Sequence, residues 1–169
     1  MVGHLCQEEI EAVLQRRTLG RIGYYLGDSP SIVPVTFAYD QSCVYVASGP
    51  GQKIDAMRAR PDVCFEVDEI NAAGIWRSVI ADGAYEELTS EADRCAALIR
   101  INRVLPVHIP CAQAAPDAVI VFRIRLLEMT GRFGRELRAS TESPSRSRLC
   151  AVAGDARHGQ IMALSLAGE

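Results

Sequence analysis

Apolar and polar residues alternate in several short stretches of this 169-residue chain, and turn residues separate the stretches. Alternation with a period of two predicts β-strands that bury one face. The predicted strands cover residues 20–26, 31–39, 43–46, 63–67, 76–88 and 119–129. Apolar residues at helical spacing predict helices over residues 7–17, 53–60 and 90–104. Because short strands follow one another with few helices between them, the pattern favours a mainly β, α+β fold: an antiparallel barrel with peripheral helices.

Two residues inside the predicted strands indicate local geometry. Pro34 has no backbone N–H to donate to a neighbouring strand. It therefore predicts an edge strand, a bulge, or a place where a ligand replaces the neighbour. Gly83 lies in the middle of the 76–88 strand and predicts a bulge or bend there.

Composition limits the organisation of the chain. Residues 1–137 are long enough for one domain with its own core. From Arg138 onward Ser, Arg, Gly and Ala dominate, so residues 138–169 are expected to form a flexible tail. Six scattered cysteines without a Cys-x-x-Cys pair favour reduced thiols.

Charge and hydropathy exclude several function classes. The net charge of −3 provides no basic field for nucleic acid. We find no apolar run long enough to span a membrane and no leader-like segment, so we expect a cytoplasmic protein. His4, His108 and His158 lack ligand spacing, so no metal site is predicted.

The strand–loop–helix segment over residues 44–60 carries the strongest chemical signal. Small residues over 48–51 lead into a helix start, where free N–H groups and a partial positive charge favour anions. Lys53 is the only lysine in the chain, which suggests a specific point charge on a phosphate. The alternative is a plain link that binds nothing. The loop is no P-loop, and Ile54 stands where a dinucleotide fingerprint needs its third glycine.

Six motifs occur in an order and spacing that resemble a known family. They are Gly20-Arg21-Ile22, Pro34-Val35-Thr36-Phe37-Ala38-Tyr39, Gly51-Gln52-Lys53-Ile54-Asp55, Val63-Cys64-Phe65-Glu66-Val67-Asp68, Trp76-Arg77-Ser78-Val79 and Gly131-Arg132-Phe133. The chain resembles the FMN-binding split β-barrel of the pyridoxamine phosphate oxidase-like superfamily, and within it the nitroimidazole-resistance or flavin-nucleotide-binding branch. The resemblance spans residues 9–135.

The resemblance implies a six-stranded antiparallel split β-barrel that forms a homodimer with FMN at the interface. It also implies an FMN-dependent oxidoreductase that acts on a small molecule. The implied cofactor contacts are Pro34, Val35, Thr36 and Phe37 on the isoalloxazine ring, Ser48, Gly51, Lys53 and the adjoining Ile54 at the phosphate, and Trp76, Arg77 and Ser78 completing the pocket. No catalytic residue is identified, because a flavin supplies the redox chemistry itself.

Two further readings stay open. The branch commonly has a histidine before the serine of the phosphate loop, whereas this chain has Ala47. A dedicated nitroimidazole reductase is therefore disfavoured, and a non-enzymatic FMN carrier or sensor is an alternative. A haem-binding split barrel with His108 as axial ligand is the third hypothesis.

Overall fold

The computed structural model describes residues 2–105, 109 and 118–135, which form eight strands and three helices. The elements are β1 (Val2–His4), α1 (Gln7–Arg16), β2 (Leu19–Leu26), β3 (Ser29–Thr36), β4 (Ala38–Asp40), β5 (Cys43–Ser48), α2 (Gln52–Ala59), β6 (Asp62–Ile70), β7 (Ile75–Glu87), α3 (Glu91–Ile101) and β8 (Ile120–Arg135).

All described strands belong to one antiparallel sheet. Its order is β3-β2-β6-β7-β8-β5-β4, and β1 pairs with β8 outside this path. The two ends of the path, β3 and β4, are consecutive in the chain and separated only by Phe37. The sheet must therefore curl until its edges meet, which gives the split barrel. The predicted fold class is confirmed.

Alternating side chains fill the barrel interior. Phe37 and Phe65 are fully buried and pack edge to face, with ring centroids 5.0 Å apart. Val13 and Leu14 of α1 and Met57 of α2 join the same core, so these two helices are fixed by burial of their apolar faces. Ala97, Leu98 and Ile101 of α3 pack outside the barrel in a second cluster with Ala38, Leu88 and Val121.

The two sequence signals of local geometry are confirmed. Pro34 lies on β3, which is the edge strand at one end of the sheet path. The β7–β8 register shifts between Asp82 and Gly83, as a bulge requires. A Cβ added to Gly83 would lie 2.5 Å from the Ile124 side chain, so the position also needs a residue without a side chain.

The strand count differs from the six that were expected. The predicted 31–39 strand is two strands, because the chain passes from one edge of the barrel to the other at Phe37. β1 is too short to show alternation. The last strand is also longer than expected. β8 continues through Gly131 and Gly134, beyond residue 129, where the predicted strand ended.

Other expectations fall partly outside the described residues. These include most of the predicted 105–116 loop with His108, and the whole predicted tail.

Cys6, Cys43 and Cys64 are free thiols, but Cys95 is disulfide-bonded, so the expectation of reduced thiols is wrong for Cys95. Cysteine pairing depends on proximity in space, which spacing in sequence does not report.

None of the three described helices has the length and apolar character needed to cross a membrane.

Candidate functional site

The loop between β5 and α2 places an open helix start at the surface. Gly51 is the N-cap residue of α2, with φ 154°, and no side chain caps this helix. The Ile54 and Asp55 amides donate to the Gly51 carbonyl at 2.9 and 3.2 Å. The amides of Gln52 and Lys53 have no acceptor among the described residues. This end of α2 therefore offers free N–H donors and the positive end of the helix dipole.

The charged group at this helix start is Lys53. It is half-buried, and its ammonium makes no ion pair or hydrogen bond with any residue the structure describes. The acidic residue of the first turn, Asp55, lies 3.4 Å from Arg58. The Ser48 hydroxyl donates to the Gly49 carbonyl at 2.9 Å. The loop thus carries positive charge that the described part of the chain does not neutralise.

The predicted ring-lining segment divides into two faces. Pro34 and Thr36 point outward from β3, whereas Val35 is 6% exposed and Phe37 is fully buried. The Phe37 amide also donates to the Thr18 carbonyl at 2.8 Å. Ile54 is likewise fully buried in the core. Only backbone atoms of Val35, Phe37 and Ile54 are therefore available to a ligand on the outer surface.

The third predicted group lies at the start of β7. Trp76 packs on Gly134, where an added Cβ would lie 2.5 Å from the indole ring. Arg77 reaches Glu69 at 3.1 Å, and the Ser78 hydroxyl donates to Glu66 at 3.3 Å. Trp76 and Ser78 alternate with the buried Val79, so both face outward, as Pro34 and Thr36 do on β3.

One chain does not bring Trp76–Ser78 to the phosphate loop. Ser48 pairs with Ile120 near one end of β8, and Trp76 pairs with Gly134 near the other end. The stretch of β7 from Trp76 to Glu87 spans about 35 Å at about 3.3 Å per residue. That length exceeds the reach of one flavin mononucleotide. Within one chain, the two groups therefore lie toward opposite ends of the β7–β8 pair.

Three arginines surround Glu69, which is only 12% exposed in its side chain. Arg16, Arg17 and Arg77 approach its carboxylate at 3.1, 3.3 and 3.1 Å. Burial opposes the charged form of Glu69, but the hydrogen bonds from Arg16 and Arg77 outweigh it and hold the pKa below its ordinary value. This cluster was not predicted, because its members come from α1, β6 and β7 and share no sequence pattern.

Position 47, at which the nitroimidazole branch commonly has a histidine, lies on β5. Ala47 is half-buried on β5 and packs against the cluster of apolar residues beneath α3. Its methyl group therefore contributes to packing and brings no acid–base group to the loop.

A large apolar surface covers the outer face of β2, β3, β6 and β7. An open groove of about 840 Å³ runs across it, lined in part by Tyr25, Ile32 and Cys64. Ile32 is 72% exposed, and Ile80 and Leu127 are also exposed there. Contiguous apolar surface of this kind is typical of a face that another molecule covers.

The chain is similar to known proteins in sequence and in fold. The family model described as "Pyridoxamine 5'-phosphate oxidase" matches residues 7–133. A FAD-binding protein of Mesorhizobium loti is 33% identical, with a TM-score of 0.69, over 79% of this chain and 99% of that one. A candidate 5-nitroimidazole antibiotic resistance protein of Bacteroides thetaiotaomicron shares the fold at 21% identity and a TM-score of 0.71, over 79% of this chain and 87% of that one.

A curated relative gives a shorter match. An uncharacterized protein of Rhizobium meliloti is 38% identical over 84 residues, which are 50% of this chain. The match spans 56% of that relative, so the chain covers little more than half of its length.

Proposed function

The chain belongs to the pyridoxamine 5'-phosphate oxidase family of flavin-binding proteins, and on this premise we propose that it binds FMN and acts as an FMN-dependent oxidoreductase on a small molecule. When bound, the flavin supplies hydride or electron transfer. The protein holds and orients it and shapes the surroundings of its ring.

The observation that carries the proposal is the open start of α2. A phosphate monoester carries about −1.5 to −2 charge at neutral pH and has three acceptor oxygens. Among the described residues, the amides of Gln52 and Lys53 and the ammonium of Lys53 have no partner, so they can supply the donors and the charge that such a group needs. Gly51 leaves the approach open, because a Cβ added there would meet no atom within 4 Å.

The ring of the flavin is proposed to lie along the end of β3. Pro34 faces outward on an edge strand and offers no N–H, so no further strand can continue the ladder at this residue. Thr36 presents its hydroxyl on the same face. Backbone groups of the 34–37 segment that are free of the sheet then contact the ring edge.

We further propose a homodimer that completes the pocket. Trp76, Arg77 and Ser78 lie too far along β7 to reach the phosphate loop of their own chain. A second copy on the outward face would bring Trp76 and Ser78 to that loop and cover the exposed Ile32 and Ile80, whereas Arg77 faces the other way and stays paired with Glu69. In this arrangement each flavin contacts both protomers.

FAD is the competing cofactor, because the Mesorhizobium loti protein is named for it. Both flavins carry phosphate that the α2 start can bind. A terminal dianion matches the local charge of Lys53 and its amides better than one bridging phosphate, which favours FMN. Chromatography of the flavin released by heat or acid distinguishes the two directly.

A flavin carrier without its own substrate is the second candidate function. It is favoured by Ala47, whose methyl group packs beneath α3 and gives the loop no acid–base group. Turnover separates the candidates. An enzyme oxidises NAD(P)H or another donor repeatedly when quinones, nitro compounds or pyridoxamine phosphate are added, whereas a carrier undergoes at most one reduction per flavin.

The decisive first experiment combines an absorbance spectrum with light scattering on the purified chain. Flavin bands with about one flavin per chain, in a particle of twice the chain mass, support the proposal. A colourless protein that stays monomeric and does not bind added FMN contradicts it. A Soret band instead of flavin bands would favour the haem hypothesis.

A further inference from the structure

Two side chains beside Trp76 and Ser78 have no part in the proposed flavin contacts. The sheet register pairs Trp76 with Gly134 and Ser78 with Arg132, and it pairs Arg132 with His4 of β1 on the other side. Residues directly opposite each other in an antiparallel pair share one face of the sheet, with Cβ atoms about 4.5–5.5 Å apart. Because Trp76 and Ser78 face outward, Arg132 and His4 lie beside them on the outward face.

Arg132 carries a positive charge that the described residues do not neutralise. Its side chain is exposed and has no hydrogen-bond or ion-pair partner among them. The carboxylates next to Ser78 on this face, those of Glu66 and Asp68, both pair with Arg21, at 2.8 and 2.6 Å. Glu66 also accepts the Ser78 hydroxyl at 3.3 Å. The neighbouring acids are therefore occupied, and Arg132 keeps its charge for another molecule.

An aromatic surface lies next to this cation. The Trp76 indole packs on Gly134, where an added Cβ would lie 2.5 Å from the ring. Gly134 follows Arg132 by two positions on β8, so the indole and the guanidinium are neighbours on one face. Val2, which pairs with Gly134 from β1, is 64% exposed and extends the apolar surface. A flat apolar surface beside a guanidinium suits a planar ring that carries a negative group.

We propose that Arg132 determines the substrate class of this protein, by binding the carboxylate of a small aromatic acid whose ring lies against Trp76. The inference rests on the proposed flavin function. In the proposed dimer, the second copy that brings Trp76 and Ser78 to the flavin of its partner brings Arg132 with them, because Arg132 is paired with Ser78. An acid bound in this way lies beside the redox-active ring.

The donors at this place match a carboxylate better than a phosphate. A guanidinium presents paired N–H groups that fit the two oxygens of a carboxylate. A phosphate monoester carries about −1.5 to −2 charge, which is more than Arg132 alone balances. His4 is exposed opposite Arg132, and an imidazole keeps at least one N–H donor in either charge state. It can therefore donate a further hydrogen bond to the same carboxylate.

Benzoate and benzamide are matched probes, because both are planar and of similar size and only benzoate is charged. Calorimetric titration of the FMN-loaded, full-length protein should show saturable binding of benzoate, about tenfold or more tighter than that of benzamide. Arg132→Gln should weaken benzoate binding by about ten- to a hundredfold and leave benzamide binding unchanged, and Arg132→Lys should restore part of the loss. The emission of Trp76, the only tryptophan in the chain, should change as benzoate binds.

Arg125→Gln is the control variant and should not alter benzoate binding. Arg125 is exposed on the same strand and unpaired among the described residues, but it lies opposite Ala84, away from Trp76. Equal affinity for the two probes, or equal losses in the Arg132 and Arg125 variants, overturns the inference. Loss of FMN or of the dimer in Arg132→Gln would assign Arg132 to the cofactor or to the subunit interface, and this also overturns it.

FMN titration and light scattering of each variant, before a probe is added, separate this inference from the proposed function. A parent protein that binds no FMN contradicts the proposed function and the inference with it. A parent that binds FMN as a dimer but does not bind benzoate overturns the inference alone.

Discussion

The starts of α2 and α3 differ although each helix follows a strand. At α3 the Ser90 hydroxyl oxygen accepts the Asp93 amide at 3.1 Å, and the hydroxyl donates to the Asp93 carboxylate at 2.7 Å. At α2 no side chain caps the helix, and a lysine lies in its first turn. Within the part of the chain that the structure describes, one helix start is closed by the chain's own atoms, and the other keeps donors and charge without partners, which is where a ligand gains most.

Contacts elsewhere in α2 compensate for the missing side-chain cap at its start. Ile54 and Met57 are fully buried in the barrel core. Near the other end of the helix, Arg58 makes two hydrogen bonds to Glu87 at 2.7 and 2.9 Å. A helix fixed by its buried face and by its last turn does not need a cap to stay in place. Binding at its first turn then requires little rearrangement.

The largest expected effect comes from removing the charge at the open start. Lys53→Ala removes a charged hydrogen bond worth about 1.5–3 kcal/mol, so FMN should bind about ten- to a hundredfold more weakly. Lys53→Arg keeps the charge and should retain most of the affinity. Quenching of FMN fluorescence by the apoprotein measures both dissociation constants.

Arg125→Ala is the control for this prediction, because it removes an exposed cation away from α2 and should leave FMN binding unchanged. If Lys53→Ala and Lys53→Arg retain FMN equally well, the assignment of the phosphate to Lys53 is wrong. The contrast between the two helix starts would then have no functional meaning.

A substitution at the capped start of α3 should lower the stability of the fold and leave FMN binding unchanged. Ser90→Ala removes the N-cap of α3 and should lower the free energy of unfolding by about 1 kcal/mol. Thermal or urea unfolding of the apoprotein measures this loss. The affinity for FMN should stay within experimental error. A variant as stable as the parent, or one that loses flavin, would contradict the structural role given to this cap.

The anchor of α2 should show a dependence on pH. The hydrogen bonds from Arg58 lower the pKa of Glu87 below its ordinary value of 4.5. The ion pair therefore stabilises the fold above that value, and the contribution is lost as the pH falls through the lowered pKa. Glu87→Gln should lower the unfolding temperature at pH 7, and the difference from the parent should shrink below about pH 4.5.

Because Glu87 and Arg58 lie near the surface, this effect should be small and should weaken in high salt. Glu128→Gln is a suitable control, since Glu128 is exposed and unpaired among the described residues. A constant difference between Glu87→Gln and the parent from pH 7 to pH 3 would show that the charge on Glu87 is not the cause.

Local signals in the sequence identified most of the fold. Pro34 marked an edge strand because a missing N–H has the same consequence in any sheet. The helix start predicted at residue 90 is also local, because the Ser90 cap involves residues only three apart. The loop proposed to bind phosphate is equally local, since Ser48, Gly51 and Lys53 are neighbours in the chain, and its role stays a prediction.

Features that depend on distant contacts were missed or misread. The predicted strand ended at residue 129, before Gly131 and Gly134, yet both glycines lie inside β8. A Cβ at Gly131 would lie 2.8 Å from Leu5, and one at Gly134 would lie 2.5 Å from Trp76. Glycine serves turns and close packing alike, and only the identity of the neighbour distinguishes them. The arginines around Glu69 were missed for the same reason.

The smallest expected change in stability gives the sharpest test of the contrast between the two helix starts. A cation in the first turn of a helix opposes the helix dipole, whereas an anion there is favoured by about 0.3–1 kcal/mol. Lys53→Glu should therefore make the apoprotein slightly more stable while abolishing FMN binding. Urea unfolding of the flavin-free protein and FMN titration of the same sample measure the two quantities. Since a carboxylate that merely damaged α2 would lower both stability and binding, only opposite changes show that Lys53 is kept for a ligand at a cost to the fold.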